Sequence, residues 1–444
     1  MTPLRTTERQ YRGKPVERRR RPRIDREIQQ RVSLCSRFAT CMHAAGASAA
    51  KLESTLERLS TGLGVPGQFF VTPTALLASY SLPNRDRPHV RLLRVQPASI
   101  DVTRLADTES LAMEAARGTI SPKGAEARLA DLFRETSPNP WRWRGAAVAV
   151  SASAAILLGG GLAEAGLAGA VGLMIGTLES LPKRSDAIRR LVPAAVAALT
   201  AFLSLMIEAR VPSFSVGIAQ FASVILLVPG FGFTLAIQEI ATAHLISGGA
   251  RLMGAVGEFL LLGFGIAAGT SVASLVSEAG PPAPGSGTAW WILVGAVVLS
   301  ALGFCGRFHA RRSDMGMAIL AGGLGFFAAK LATSVGGALG PFVGACSIGL
   351  AANLFARRTG RSALVMMAPA LIPLVPGSFG FRSFSLLLGH DVLPAVEAVF
   401  QMLLVGTSLS VGLLVANLLV PTERGSARPR KDIAGWKEVF DGPD

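Results

Sequence analysis

Charge is what this sequence has least of. Asp, Glu, Lys and Arg make up 16% of its 444 residues, against roughly 25% in an ordinary soluble domain. Hydrophobic residues make up 50%. That balance argues against a soluble enzyme. Cysteine is scarce as well: Cys35, Cys41, Cys305 and Cys346 form no CxxC pair and no His/Cys cluster at metal-ligand spacing, so they read as reduced thiols. His43 and His244 stand alone. No HExxH, no GxSxG elbow and no P-loop occurs. The missing P-loop argues against ATP-driven transport by this chain alone. No enzymatic activity, cofactor or metal is therefore expected. Residues 1–31 lack the apolar core of a secretory signal peptide.

What charge there is lies unevenly. The net charge is +15, from 44 basic and 29 acidic residues, an excess that taken alone suggests nucleic acid. Residues 1–144 hold 25 of the 44 basic residues, and the apolar remainder, about twice as long, holds 19. Residues 1–23 form a basic tail with disordered composition. Such a tail is a solvated cytoplasmic segment or one drawn to anionic lipid.

A small α+β cytoplasmic domain is expected over 24–140. Residues 24–63 read as helix, broken at Gly46, with Leu52, Leu56, Leu59 and Leu63 on one buried face. Gly62 and Gly64 end it. Phe69–Val71 and His89–Val95 read as strands, separated by the turn-rich stretch Pro83–Pro88. Leu105–Ala116 and Pro122–Phe133 read as helices. Trp141 and Trp143, alternating with Arg142 and Arg144, fit the cytoplasmic face of a membrane.

Beyond Gly145 the chain reads as a polytopic α-helical membrane protein. A span needs about 20 apolar residues. Ten are expected, over 145–163, 165–181, 191–208, 214–235, 254–276, 289–306, 315–329, 335–355, 363–384 and 396–420, the second and seventh being short and glycine-rich. With the N-terminus inside, the inside loops and the tail 421–444 carry 16 of the basic residues beyond Gly145, and the outside holds only Arg210, Lys330 and Arg382. The positive-inside bias thus supports ten spans in the cell membrane with both termini cytoplasmic. It also reassigns the positive charge from nucleic acid to topology.

The spans fall into two halves, 145–276 and 289–420, joined by the uncharged linker 277–288. The fourth span of each half carries a matching motif: Leu227, Val228, Pro229, Gly230, Phe231, Gly232, Phe233, and Leu374, Val375, Pro376, Gly377, Ser378, Phe379, Gly380, Phe381. Five spans is an odd number, so the second half must run through the bilayer the other way, which makes a 5+5 inverted repeat. Proline has no N–H to give and clashes with the turn before it. Val-Pro-Gly inside a span therefore frees backbone carbonyls. Such backbone survives only where protein or a wet cavity covers it. Paired broken helices at corresponding positions are the sequence mark of a transporter's central site. The candidate substrate-binding residues are Val228, Pro229, Gly230, Thr234 and Gln220, with Val375, Pro376, Gly377 and Ser378; Ser383 flanks them. Packing kinks are the alternative.

Intramembrane carboxylates are costly and hence candidates for function. Glu258 is expected about one turn inside the fifth span, and Glu397 at the start of the tenth. Each begins the fifth span of its half, and either could carry a coupling proton if burial raises its pKa. An interfacial Glu258 paired with Arg251 is the alternative. Glu239 and Arg251 are expected in an amphipathic cytoplasmic segment, where their pairing holds a gate or is a solvated salt bridge. Glu179 and Glu208 read as interfacial, and Lys330 as an outer anchor.

Several of these motifs together resemble the threonine/serine exporter family. Ala45, Gly46, Ala47 and Ser48, followed by Leu52, Glu53, Arg58 and Gly64, look like the helical segment opening that family's cytoplasmic domain. Val71, Thr72, Pro73 and Thr74 resemble its next strand. Val228, Pro229, Gly230, Thr234, Ala236, Ile237, Glu239, Ser247, Gly248 and Arg251 look like the signature of its first membrane half. The run from Ala370 to Gly377 is similar to that of its second. Glu239 stands where aspartate is common, and Ala243-His244 where Gly-Asp is usual. The resemblance implies proton-driven export of threonine and serine, with protons, the small-molecule substrate and the lipid bilayer as partners; a homo-oligomer is compatible with it. A dicarboxylate exporter, or a membrane sensor or scaffold working through its cytoplasmic domain, is the alternative.

Overall fold

The computed structural model describes residues 26–82, 87–96, 100–134, 139–181, 186–276 and 289–421. The expected basic tail, the turn at Pro83, the loop around Lys183 and Arg184, the linker 277–288 and the tail beyond Pro421 lie outside them.

The helix expected over 24–63 is two helices, α1 (Arg26–Ala44) and α2 (Ala49–Gly62). They part at Gly46, whose φ of +88° suits glycine, and the Ser48 side chain caps α2 by accepting from the Lys51 amide. Strands β1 (Gly67–Val71), β2 (Ala75–Tyr80) and β3 (His89–Arg94) form an antiparallel sheet in that order. Phe70 lies opposite Leu77, and Leu77 opposite Leu92. The sequence had marked only the outer two strands. The turn before β2 is the short Thr72–Thr74, where the Thr72 amide donates to the Ala75 carbonyl. Helices α3 (Val102–Ala116) and α4 (Pro122–Leu132) follow. Phe38, Met42, Leu52, Leu56, Leu59, Leu76 and Tyr80 are fully buried, and with Leu111 they make the core of this α+β domain.

The membrane part contains α5 (Pro140–Leu157), α6 (Leu162–Ser180), α7 (Asp186–Glu208), α8 (Val216–Val224), α9 (Gly230–Ala241) and α10 (Leu245–Ala273) in its first half. The second half contains α11 (Trp290–Arg307), α12 (Arg312–Thr333), α13 (Leu339–Thr359), α14 (Leu364–Leu371), α15 (Gly377–Leu388) and α16 (Val392–Leu419). Among the described residues, eight helical segments are long and apolar enough to cross a membrane: α6, α7, α10, α11, α12, α13, α14 with α15, and α16. Of the other two expected spans, α5 begins with Arg142 and Arg144, and α8–α9 is interrupted.

Two expectations need correction. The seventh span is not short: α12 has 22 residues. The 18-residue loop expected between the fourth and fifth spans shrinks to Thr242–His244, because α9 runs on to Ala241 and α10 starts at Leu245. The polar residues that end the apolar runs there are buried rather than solvated. Glu239 and Ser247 are 1% and 3% exposed.

Both fourth segments break at Val-Pro-Gly. Pro229 and Pro376 take nearly the same backbone conformation ahead of α9 and α15, with φ and ψ of −78° and 33° against −79° and 24°. A turn of 3-10 helix, Ile372–Leu374, precedes the second break. The two breaks press on each other. A Cβ on Gly230 would lie 2.5 Å from Cγ1 of Val375, and one on Gly377 would lie 2.7 Å from Cγ1 of Val228. Each glycine is thus fixed by the valine of the opposite motif, and the two Cα atoms face one another across the crossing. The flanking phenylalanines extend this contact: Phe233 sits against Gly406 of α16, and Phe259 of α10 sits against Gly380 of α15.

Adding one methyl at Gly230 should overpack the crossing at a cost of about 1–3 kcal/mol. G230A is expected to unfold at a lower temperature than the native chain in detergent, and V375A in the same chain should recover most of the loss. Additive losses in the double variant would refute the coupling.

Candidate functional site

Six of the residues expected to bind substrate meet at the crossing, and the others lie around it or elsewhere. Val228, Pro229, Gly230, Val375, Pro376 and Gly377 form it. Thr234, one turn into α9, is buried, and its hydroxyl donates to the Gly230 carbonyl at 3.1 Å. Gln220 is buried in α8 and makes no side-chain hydrogen bond to the described residues. Ser378 is half-buried at the start of α15. Ser383 is spoken for: its hydroxyl donates to the Ala395 carbonyl at 2.9 Å and ties α15 to α16.

Above α9 lies a cavity of about 760 Å³, bounded on one side by α2 and α3 of the α+β domain and on the other by α9, α12, α13, α14 and α16. Phe231, Thr234 and Gln238 bring the broken helix to its wall, and Asn353 and Asn417 add amides from α13 and α16. Three ion pairs lie on its rim: Arg311 Nη2 meets Asp107 Oδ2 at 2.6 Å, Lys51 meets Glu109, and Arg361 meets Asp314. Burial pushes the Asp107 carboxyl up from its ordinary value, and the Arg311 guanidinium pulls it back.

The α+β domain is held over this cavity at two places. At the first, Glu239 of α9 reaches the N-terminus of α2. Its Oε1 accepts from the Ala49 amide at 2.9 Å, and its Oε2 accepts from Ser247 Oγ at 2.8 Å and from Arg251 Nε at 3.0 Å. Three donors and the positive end of α2 offset the burial of this carboxylate. Arg251 also reaches the Ala47 carbonyl at 3.5 Å. Close by, Glu53 accepts from the Val71 amide at 3.0 Å and faces His244 Nε2 at 3.3 Å. His43 lies next to this cluster; burial, helped by the Arg251 guanidinium, holds its imidazole below the ordinary value. At the second place α3 begins on the turn between α11 and α12. The Val102 amide donates to the Phe308 carbonyl at 3.0 Å, and the Thr103 hydroxyl to the His309 carbonyl at 2.7 Å.

Glu239 is therefore buried and Arg251 half-buried, and their ion pair is not a solvated one. They form a buried latch between a broken membrane helix and the α+β domain. Gly46–Ser48 and Glu53 belong to one sequence motif, and Glu239, Ser247 and Arg251 to another. The structure makes them one interface, although Ala49 and Glu239 are 190 residues apart.

Glu258 and Glu397 do not join this site. Glu258 is the fourteenth residue of α10 and Glu397 the sixth of α16. Both side chains are exposed on outer helix faces, and neither lines the cavity. Glu179 bonds Arg307 at 2.6 Å and Trp143 Nε1 at 3.0 Å. Two buried carboxylates escaped sequence reasoning. Glu164 is 4% exposed; it accepts from the Gly161 amide at 2.8 Å and from the Ser215 amide, just ahead of α8, at 2.6 Å. Asp314 is 4% exposed and pairs with Arg361, just ahead of α14. Each is the third residue of the second helix of its half, the place where a carboxylate caps a helix, and that shared spacing was the available signal. Among the described residues no group of His, Cys, Asp and Glu is arranged to hold a metal ion.

Comparison with known proteins identifies the family. The family model for threonine/serine exporters, ThrE, matches residues 33–273, and a second, described as threonine/serine exporter ThrE, matches residues 293–419. The chain is 26% identical over 375 residues to "Pheromone-regulated membrane protein 10" of Candida albicans, covering 80% of this chain and 33% of that protein. It is 23% identical over 427 residues to the "Probable threonine/serine exporter" of Mycobacterium tuberculosis, covering 89% of this chain and 78% of that one. The chain thus spans about a third of the length of such fungal relatives. No solved structure matches it. With the first family model extending over more than half of its length, the chain belongs to the threonine/serine exporter family, a family of multi-pass membrane transporters and not of enzymes.

Proposed function

We propose that the chain is a proton-driven secondary exporter of small polar amino acids, threonine and serine, working by alternating access between two inverted five-helix repeats with both termini in the cytoplasm. The observation that carries this is the reciprocal crossing of the two broken helices at Gly230 and Gly377, from which α9 continues through Phe231 and Thr234 into the wall of a cavity reaching the α+β domain. Irregular backbone at membrane depth needs such cover, and paired broken helices are where transporters hold substrate.

The packing supports a repeat. Helix contacts in the first half recur in the second: α7 with α10 and α13 with α16, α6 with α8 and α12 with α14, α9 with α10 and α15 with α16. The turns that follow α9 and α15 both place a non-glycine residue, Ala243 and His390, at φ +63°, an uncommon conformation. Substrate is proposed to enter from the cytoplasmic cavity past Thr234 and to meet the freed carbonyls and helix N-termini at the crossing.

The purified full chain in proteoliposomes is expected to move labelled threonine and serine against their gradients when a pH gradient is imposed. Purely downhill flux would make it a passive channel, and no flux under any condition would favour a sensor or scaffold. Because Glu258 and Glu397 lie on outer faces away from the cavity, E258Q and E397Q are expected to keep gradient-driven efflux. Its loss in either variant, with the protein still folded, would return the proton-carrying role to that carboxylate. E239Q should leave Arg251 buried against a neutral partner, a change on the order of 3–5 kcal/mol when such a pair is broken. Hydrogen exchange at Ala49 is then expected to quicken at least tenfold while α11–α13 stay protected. Unchanged exchange would refute the latch.

A further inference from the structure

Asn353 is fully buried, at 0% exposure, in the apolar helix α13, where nothing in its local sequence calls for an amide. Its Nδ2 donates to Asn417 Oδ1 at 2.8 Å and lies 3.4 Å from the Ala416 carbonyl oxygen. A carbonyl can only accept, so the Ala416 contact fixes which end of the Asn353 amide is the NH2. Oδ1 of Asn353 is then left buried with no partner. Buried side-chain oxygens without a donor are rare and costly, and each calls for an explanation.

Asn353 and Asn417 both line the cavity of about 760 Å³, together with Thr234 of the broken helix. Three ion pairs on the rim, Lys51 with Glu109, Arg311 with Asp107 and Arg361 with Asp314, occupy most of its charge, and Arg117 and Glu114 lie further along it. The Asn353 oxygen is therefore an unclaimed acceptor in the wall of the proposed substrate path. Thr234, whose hydroxyl hydrogen goes to the Gly230 carbonyl, can also only accept from a substrate.

We infer that Asn353 is a specificity-determining residue that accepts a hydrogen bond from the α-ammonium of the substrate, with Asn417 holding its amide in place. This rests on the exporter reading above and deepens it, because it decides between the two substrate classes. An amino acid brings N–H donors to two waiting acceptors. A dicarboxylate brings only further acceptors, which the Asn353 oxygen repels.

The test compares uptake of four labelled compounds by the full chain in proteoliposomes: threonine, 2-aminobutyrate, 2,3-dihydroxybutyrate and succinate. The native chain is expected to carry the two amino compounds and to discriminate against the two that lack nitrogen. N353L, close in size and without the acceptor, should raise the threonine KM about tenfold or more, the scale of one lost hydrogen bond to a charged group. It should leave 2,3-dihydroxybutyrate unaffected and so collapse the ratio between them. N353S, too short to place an acceptor there, guards against a leucine variant that does not fold, as checked by thermal unfolding. An unchanged ratio in folded N353L or N353S overturns the assignment while the exporter reading stands. A native chain that carries succinate in preference to threonine overturns it too. A native chain that carries none of the four brings down the exporter reading itself, and the assignment with it.

Discussion

Everything in the membrane part is arranged around two helices that cannot run straight. Proline at 229 and 376 denies each helix an amide and a turn's worth of room. The backbone polar groups so released would be costly in lipid. The two breaks solve this by covering each other. Glycine follows each proline, the valine of one motif fills the space over the glycine of the other, and phenylalanines of α9, α10 and α15 with Met402 of α16 pack beside them. Neither motif can be replaced without disturbing its opposite number.

The α+β domain is coupled to that machinery through a carboxylate on one of the two broken helices. Glu239 lies at the far end of α9 from Gly230. A shift in α9 must move the acceptor that satisfies the first amide of α2. The domain also covers the cavity, so its docking and the entry of substrate are mechanically linked. The second attachment, at the turn between α11 and α12, belongs to the other half. The domain therefore spans both halves, and relative motion of the halves has to be absorbed at one attachment or the other. The buried latch is the harder to break, because parting it strands Glu239 and Arg251 without partners.

The features legible in the sequence were those whose physics is local. Helix breaking at Val-Pro-Gly, the glycine between α1 and α2, the leucine face of α2 and the apolar runs themselves depend on neighbours in the chain. Contacts made across the fold were not legible. Glu239 and Arg251 read as loop residues because they interrupt hydrophobicity, and nothing nearby in sequence shows the Ala49 amide that receives them. Glu164 and Asp314 sat at the ends of apolar runs and passed for boundary residues. Glu258 and Glu397 drew attention for lying inside such runs, yet run position says nothing about which helix face a side chain occupies. β2 was missed because its alternating burial, with Leu76, Ala78 and Tyr80 inward, is short and follows a proline-containing turn.

The two halves are not alike in their chemistry, and the asymmetry has a direction. Glu164 and Asp314 hold equivalent places, yet Glu164 binds backbone amides at the start of α8 while Asp314 binds the Arg361 side chain at the start of α14. Only the second end faces the α+β domain, where Arg361, Arg311 and Asp107 line one cavity. In an inverted arrangement these carboxylates lie at opposite membrane faces. The first closes on main chain alone, and the second on a flexible cation within reach of solvent and of a docked domain. A carrier whose two ends were alike would have no structural preference for where its substrate is first recognised. Here the polar lining, the unclaimed Asn353 oxygen and the α+β domain are all gathered at one end, which in the proposed exporter is the end that loads substrate.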